Sequence, residues 1–330
     1  MINNIGTPAS AAVHDVKTYL DEFLMDPDVI PLPYPLRFIL VRGLITPRRS
    51  HSSAEKYAKV WTDRGSPLMF YTQDFTESLQ NMLGDQWVVR VGMRYGHPSI
   101  TETLEEFKAA GVEEVILAPM FPQFAVATSG SAANYTKSLM QKMNWQVPFK
   151  ALKAFHQDSR YLQAKSELIR PHLQGADHVL FSFHGLPESQ VRKGEGCLKS
   201  ENCCARPQAC AMGCYRAQSL KTAEDLAKQL GLEKHQWTAC FQSRLGPAKW
   251  IGPSTDETLM KLAAQGVKKI AVACPAFVTD CLETLEEIGL GAKEDFLKAG
   301  GTSFHLAPCL NAHPTWVSTF AELVQDPRLL

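Results

Sequence analysis

The strongest constraint on this chain is a passage that occurs twice. "PSITETLEEFKAAGVEEVILA", Pro98 to Ala118, aligns with "PSTDETLMKLAAQGVKKIAVA", Pro253 to Ala273, at a shift of 155 positions. Pro, Ser, Glu, Thr, Leu, Ala, Gly, Val and Ala coincide. Matches held at one spacing, in one order of elements, indicate two structurally similar halves; convergence on a common helix-to-strand pattern is the alternative. In each copy apolar residues recur at helical spacing (Leu104, Phe107 and Val112; Leu259, Leu262 and Val267). Gly111 or Gly266 then ends the helix and a short apolar strand follows. "WVVRVGM", "HVLFSF", "WTACF" and "FHLAP" are further runs of this bounded kind. Their alternation with helices predicts parallel sheets in α/β units. Each half is expected to be a small doubly wound domain, residues 1–150 and 151–330, with the final helix near 312–330 packing back on the first.

Composition removes several classes of function. The chain has 34 acidic and 34 basic groups, so neither a polyanion partner nor nucleic acid is expected. "MINNIGTPAS" lacks the basic and long apolar regions of a secretory signal, so a reducing cytoplasm is expected. "VIPLPYPLRFILVRGLI", Val29 to Ile45, is strongly apolar. It is shorter than the roughly 20 residues a spanning helix needs, and Pro31, Pro33 and Pro35 interrupt it. It reads either as a buried loop and core helix or as an apolar lip touching a membrane surface or a greasy substrate.

Ligands of open α/β sheets bind beyond the carboxyl ends of the strands. No Gly-x-Gly-x-x-Gly or Walker sequence stands there, so a nucleotide site has no support. Instead the strand ends are followed by Arg94, Tyr95 and His97, by Phe121, Gln123, Phe124, Thr128 and Ser129, by His184, by Gln242, Ser243 and Arg244, and by Thr279, Asp280 and Glu283. His184 closes an apolar run and precedes a turn at Gly185 and Pro187, which aims it into the ligand crevice as proton acceptor or metal ligand. In "TDCLETLEEIG", a helical 100° per residue puts Asp280, Glu283 and Glu287 within about 60° of one another. Such a stripe facing a histidine can carry protons away or deliver a divalent cation. Asp280 as N-cap with Glu283 three residues on is also close to a capping box, which accounts for two of the three acids.

Five of the nine cysteines fall between Cys197 and Cys214, in "CLKSENCCARPQACAMGC". Clustered thiols in a reducing compartment point to metal. Paired Cys-x-x-Cys knuckles, usual for zinc, are absent, whereas iron–sulfur ligation tolerates irregular spacing. Zinc and free or disulfide-forming thiols are the alternatives. Cys197, Cys210 and Cys214 form the preferred set, with Cys203 or Cys204 as the fourth, because adjacent residues point in different directions.

Together the motifs resemble ferrochelatases, from "NIGTP" at Asn4 to Pro8 through "GSPL" (Gly65 to Leu68), "RYGHP" (Arg94 to Pro98) and "PQF" (Pro122 to Phe124). The resemblance continues in "FSFHGLP" (Phe181 to Pro187), "FQSRLGPAKWIGPSTDETL" (Phe241 to Leu259) and "DCLETLEEI" (Asp280 to Ile288). It implies two four-stranded α/β domains with the active site in the cleft between them. It implies a lyase-type enzyme that inserts Fe2+ into protoporphyrin IX to give protohaem, the terminal step of haem biosynthesis. His184 would take pyrrole protons or bind the metal with Glu283, and Asp280 and Glu287 would continue the acidic path. Ile5, Arg94, Tyr95, Phe124 and Ser129 would line the porphyrin pocket. Relatives that use coproporphyrin often carry tyrosine before the Gly-Thr-Pro turn, so Ile5 favours protoporphyrin. Many relatives have histidine where Cys281 stands, which leaves that position without an expected chemical role. The segment before Ile5 is shorter than usual, which implies either a trimmed first strand or a misassigned start of the chain. The resemblance further implies a 2Fe-2S cluster on four of Cys197, Cys203, Cys204, Cys210 and Cys214, in an insertion at 197–214. Peripheral contact with the inner membrane and a monomer or homodimer complete the expectation. A chelatase for coproporphyrin or another metal is the second reading, and a non-catalytic haem or iron–sulfur sensor the third.

Overall fold

The apolar runs become parallel strands. In the computed structural model, which describes residues 1–191, 203–205, 213–244, 246 and 248–330, β1 (Ile2–Gly6), β2 (Val91–Tyr95), β3 (Val115–Pro119) and β4 (Phe149–Ala151) form one sheet in the order β2-β1-β3-β4. β5 (His178–His184), β6 (Trp237–Gln242), β7 (Lys269–Ala273) and β8 (Ser303–Leu306) form the other in the order β6-β5-β7-β8. Every pairing within both sheets is parallel, and the two orders are the same winding applied twice. β5 is buried from His178 to Phe183, as a strand with both faces covered must be.

The repeated passage explains why. Its helices, Ile100–Ala109 and Thr255–Ala264, lie 155 positions apart. Each is capped by a serine, Ser99 accepting from the Glu102 N–H and Ser254 from the Glu257 N–H. Each ends on a glycine in the left-handed region, Gly111 at φ +69° and Gly266 at φ +93°. The Val112 N–H then donates to the Phe107 carbonyl and the Val267 N–H to the Leu262 carbonyl, the wider bond of a Schellman motif. The cores match position for position. Leu104, Phe107, Val115 and Leu117 are buried in one, and Leu259, Leu262, Ile270 and Val272 in the other. Each fully buried leucine of this kind contributes about 1.5–3 kcal/mol of apolar transfer.

The chain forms two compact units. The first comprises Met1–Met120, Val126–Lys153 and Ala312–Leu330, and the second Phe121–Ala125 and Ala154–Asn311. In the first, the helix Pro314–Leu323 packs on Pro67–Leu83, with Phe75 edge-on to Phe320 at 5.3 Å between ring centroids.

β1 pairs with β2 and β3 from Ile2 onward. One local expectation is corrected. The apolar segment is not a buried loop and core helix. Residues 29–33 form a loop that is nowhere buried, followed by a short helix, Tyr34–Phe38, then a π-helix, Ile39–Ile45, running into Thr46–Val60. Its large side chains face outward, Tyr34 at 62%, Leu36 at 57% and Ile39 at 67% exposure, while Val41 is buried. No described helix is long and apolar enough to cross a membrane.

Candidate functional site

In the second unit, β5 delivers His184 to the carboxyl end of its sheet, in register with Gln242 on β6. The His184 Nδ1 lies 2.6 Å from the Gly185 carbonyl oxygen. A carbonyl can only accept, so Nδ1 carries a proton, and in the neutral imidazole the Nε2 lone pair is left as acceptor or ligand. Gly185 is required for this turn, because a Cβ there would stand 2.7 Å from the Gln242 carbonyl oxygen. Tyr215, the first residue of the helix Tyr215–Leu230, donates its hydroxyl to the His184 carbonyl at 2.8 Å. The Phe277 ring lies 6.2 Å from the imidazole.

The acidic segment departs from expectation. It is a π-helix over Glu283–Ala292, and Asp280 stands outside it, so the three acids do not continue one regular helical stripe. Asp280 precedes the helix and is buried. Its Oδ1 accepts from the Thr284 hydroxyl at 2.9 Å, and its Oδ2 from the Cys309 N–H at 3.1 Å and the Asn311 amide at 2.8 Å. It serves the helix start and the neighbouring loop. Glu283 and Glu287 are half-buried. Glu287 accepts from the Ser243 N–H at 2.7 Å and from its hydroxyl at 2.6 Å. Burial pushes the Glu287 carboxyl up, opposed by the Ser243 hydroxyl and by the charge of His184, and Glu283 adds to the rise. Glu287 therefore lies within electrostatic reach of both His184 and Glu283. Cys281 is a buried thiol, pushed well up by burial and by Glu283, with which its side chain hydrogen-bonds.

The first unit gathers a different set. Arg94 pairs with Asp26, whose Oδ2 also accepts from the Tyr95 hydroxyl at 2.7 Å and the Ser131 hydroxyl at 2.8 Å. The guanidinium is sandwiched between Tyr95 at 4.7 Å and Tyr135 at 4.1 Å. Burial pushes the Tyr95 hydroxyl pKa up, so it remains a donor. Asp26, Arg94, Tyr95 and Ser131 line a cavity of about 880 Å³, within the range of small-molecule sites. Ile5 is half-buried near the end of β1, and Ser129 is half-buried in the π-helical turn Val126–Gly130. Phe124, which falls in the second unit, is 36% exposed, and its N–H is held by Gln218.

Of the five clustered cysteines, Cys197 and Cys210 lie outside the described residues. Cys203 and Cys214 are buried and Cys204 is half-buried. The Cys203 and Cys204 sulfurs are 3.9 Å apart, closer than divergent neighbours would be. Arg216 donates to the Cys204 sulfur at 3.0 Å, while a hydrogen bond with Cys214, then burial, pushes the Cys204 thiol up. Among the described residues no group of three or more His, Cys, Asp or Glu side chains is arranged to hold a metal ion.

Gln242 and Ser243 stood among the strand-end candidates through their place after the "WTACF" strand, but without a role. Asp26 and Tyr215 were not among the expected site residues, and nothing in the sequence signalled them.

A family model described as Ferrochelatase matches residues 1–327. A ferrochelatase of Bdellovibrio bacteriovorus is 50% identical over 328 residues, covering 99% of this chain and 98% of its own length. One of Ectopseudomonas mendocina is 46% identical over 334 residues, covering 98% and 96%. Among solved structures, SirB from Bacillus subtilis with Fe3+ matches at TM-score 0.52 and 13% identity, over 79% of this chain and 91% of that one. The sirohydrochlorin chelatase SirB from Bacillus subtilis subspecies spizizenii, in complex with cobalt, matches at TM-score 0.53 and 12% identity, over 81% and 94%.

Proposed function

The chain belongs to the ferrochelatase family, and from that premise we propose that it inserts ferrous iron into protoporphyrin IX to form protohaem, the terminal step of haem biosynthesis, as a lyase-type chelatase. Iron can enter the macrocycle only if two pyrrole N–H protons leave and the ring bends so that nitrogen lone pairs tilt outward, a distortion that binding energy can support. The observation that carries the assignment of roles is the tautomer of His184: Nδ1–H is committed to Gly185, which leaves Nε2 to accept a proton or meet the metal. Glu283 and Glu287 would receive iron or pass protons on, a reading supported by the influence of both His184 and Glu283 on the Glu287 carboxyl. Asp280 would hold the start of the acidic helix. Arg94 and Tyr95, with Ile5, Phe124 and Ser129, would line the porphyrin site. The test supplies purified protein with ferrous iron and protoporphyrin without oxygen. Metallation above background is expected, and none overturns the proposal. Parallel assays with coproporphyrin and with other divalent metals separate it from the second reading.

Three finer features belong to the same proposal. Four of Cys197, Cys203, Cys204, Cys210 and Cys214 would hold a 2Fe-2S cluster; the close approach of the Cys203 and Cys204 sulfurs supports clustered thiols, and Arg216 beside Cys204 is the charge that opposes the rise of that thiol. Such a cluster would supply a one-electron redox centre. A colourless protein without acid-labile sulfide after anaerobic purification overturns it. The exposed Tyr34, Leu36, Ile39 and Leu44 would touch the inner membrane face from a cytoplasmic enzyme. Vesicle flotation that is unchanged by Ile39→Ser overturns that contact. Sedimentation distinguishes a monomer from a homodimer.

A further inference from the structure

We infer that Gln242 and Ser243, two consecutive residues at the carboxyl end of β6, are positioning residues that fix the acidic helix against His184. The inference rests on the proposed roles of His184, Glu283 and Glu287.

β6 runs beside β5 in a register that places Gln242 opposite His184. The Gln242 carbonyl accepts from the Gly185 N–H at 2.8 Å, so its backbone holds the turn that carries the histidine. Its side chain, 3% exposed, reaches the other way. Its Oε1 accepts from the Ser182 hydroxyl at 2.7 Å, and its Nε2 donates to the Glu283 carbonyl at 2.9 Å. One residue thus ties the histidine strand to the first residue of the π-helix.

Ser243 completes the grip. Its N–H meets one oxygen of Glu287 and its hydroxyl the other, so the carboxylate is held in one orientation. To present both donors, Ser243 adopts φ +66°, a conformation that non-glycine residues rarely take. Strain of this kind persists where surrounding contacts over-determine it, which here are the two bonds to Glu287. The result is that strand pairing, a rigid feature, sets the separation between histidine and acids. A site carried on rigid elements keeps the geometry that catalysis needs.

The experiment compares Ser243→Gly and Ser243→Asn with the wild type by crystallography, thermal melting and anaerobic steady-state kinetics. Glycine accepts the φ but lacks the hydroxyl, while asparagine tolerates the φ and keeps a side-chain donor. Ser243→Gly is expected to melt near the wild-type temperature, to let the Glu287 carboxylate leave its place, and to lower kcat/KM for iron about ten-fold with porphyrin KM changed less than about two-fold. Ser243→Asn is expected to recover most of the iron kcat/KM. Glu287 unmoved in Ser243→Gly, or iron kinetics equal to wild type, overturns the clamp. A fall in every kinetic constant that tracks a fall in melting temperature also overturns it, because it marks a purely structural role. A wild type that does not metallate porphyrin overturns the proposed function instead, and the clamp is then decided by the position of Glu287 alone.

Discussion

The ends of the two central strands, β1 and β5, stand in the same place in sheets of the same order and meet opposite fates. β1 ends Ile5–Gly6, with Gly6 at φ +110° against the Tyr95 carbonyl, where a Cβ would collide at 1.8 Å. β5 ends at His184, with Gly185 against the Gln242 carbonyl. Both halves need a glycine so that neighbouring strand ends can approach. The residue before it is an aliphatic group in one half and an imidazole in the other. Beside the first, Arg94 is spent on Asp26 in a nearly buried pair. Beside the second, the Glu287 carboxyl feels the charges of both His184 and Glu283. The repeated residues build the frame, and the unrepeated ones decide which frame does chemistry.

Breaking that asymmetry should give the largest effect. His184→Ala removes the acceptor and should lower kcat by roughly 10²–10⁴-fold, the usual contribution of a proton-transfer group. Ile5→Ala, at the matching place in the first sheet, should change kcat by less than about ten-fold. Anaerobic metallation of protoporphyrin measures both. Equal losses would mean that the two strand ends are not chemically distinct.

The closed pair of the first unit gives the next largest effect, on stability. Asp26→Ala leaves the Arg94 guanidinium and the Tyr95 and Ser131 hydroxyls without their common acceptor. Breaking a buried pair on one side costs about 3–5 kcal/mol. Denaturant unfolding measures it, and a loss below about 1 kcal/mol would show that the pair does not brace the unit.

The frame itself can be tested by a matched pair. Leu104 and Leu259 occupy equivalent core positions and are each at most 1% exposed. Truncation to alanine should cost about 2–5 kcal/mol at each, with the two values agreeing if the cores relax alike. A difference exceeding about 2 kcal/mol would show that equivalent positions are not packed equivalently.

What could be read in advance divides along the same line. The helix and strand of each repeat, their serine caps and their terminal glycines follow from residues within a few positions of one another, so local pattern was enough. His184 was legible because an apolar run ended on it. The stripe through Asp280 was not, because a 3.6-residue period cannot announce a π-helix, and the true partner of Asp280, Asn311, lies 31 residues away. Asp26 stayed hidden for the same reason, its partners Tyr95 and Ser131 lying 69 and 105 residues off. The Ser243 grip on Glu287 spans 44 residues and depends on a positive φ that nothing about a serine foretells.

The smallest effect separates the units by acid. The second unit buries two histidines, His156 and His178, whereas no histidine of the first unit is buried. Burial lowers His156 to about 4 and, with His235, moves His178 down as well. A depressed pKa means that the unfolded chain takes the proton first. The stability held by His156 is therefore fully present above its unfolded value near 6.5 and is lost as pH falls toward about 4. Between pH 7 and pH 5 the loss from His156 alone should be about 2 kcal/mol. His156→Leu should flatten that part of the pH dependence, while His97→Leu, at an exposed position in the first unit, should leave it unchanged. Hydrogen exchange at pH 5 should then show β5 and β6 opening before β1 and β2. Protection lost first from β1 and β2 would place the acid-sensitive element in the half that carries no buried histidine.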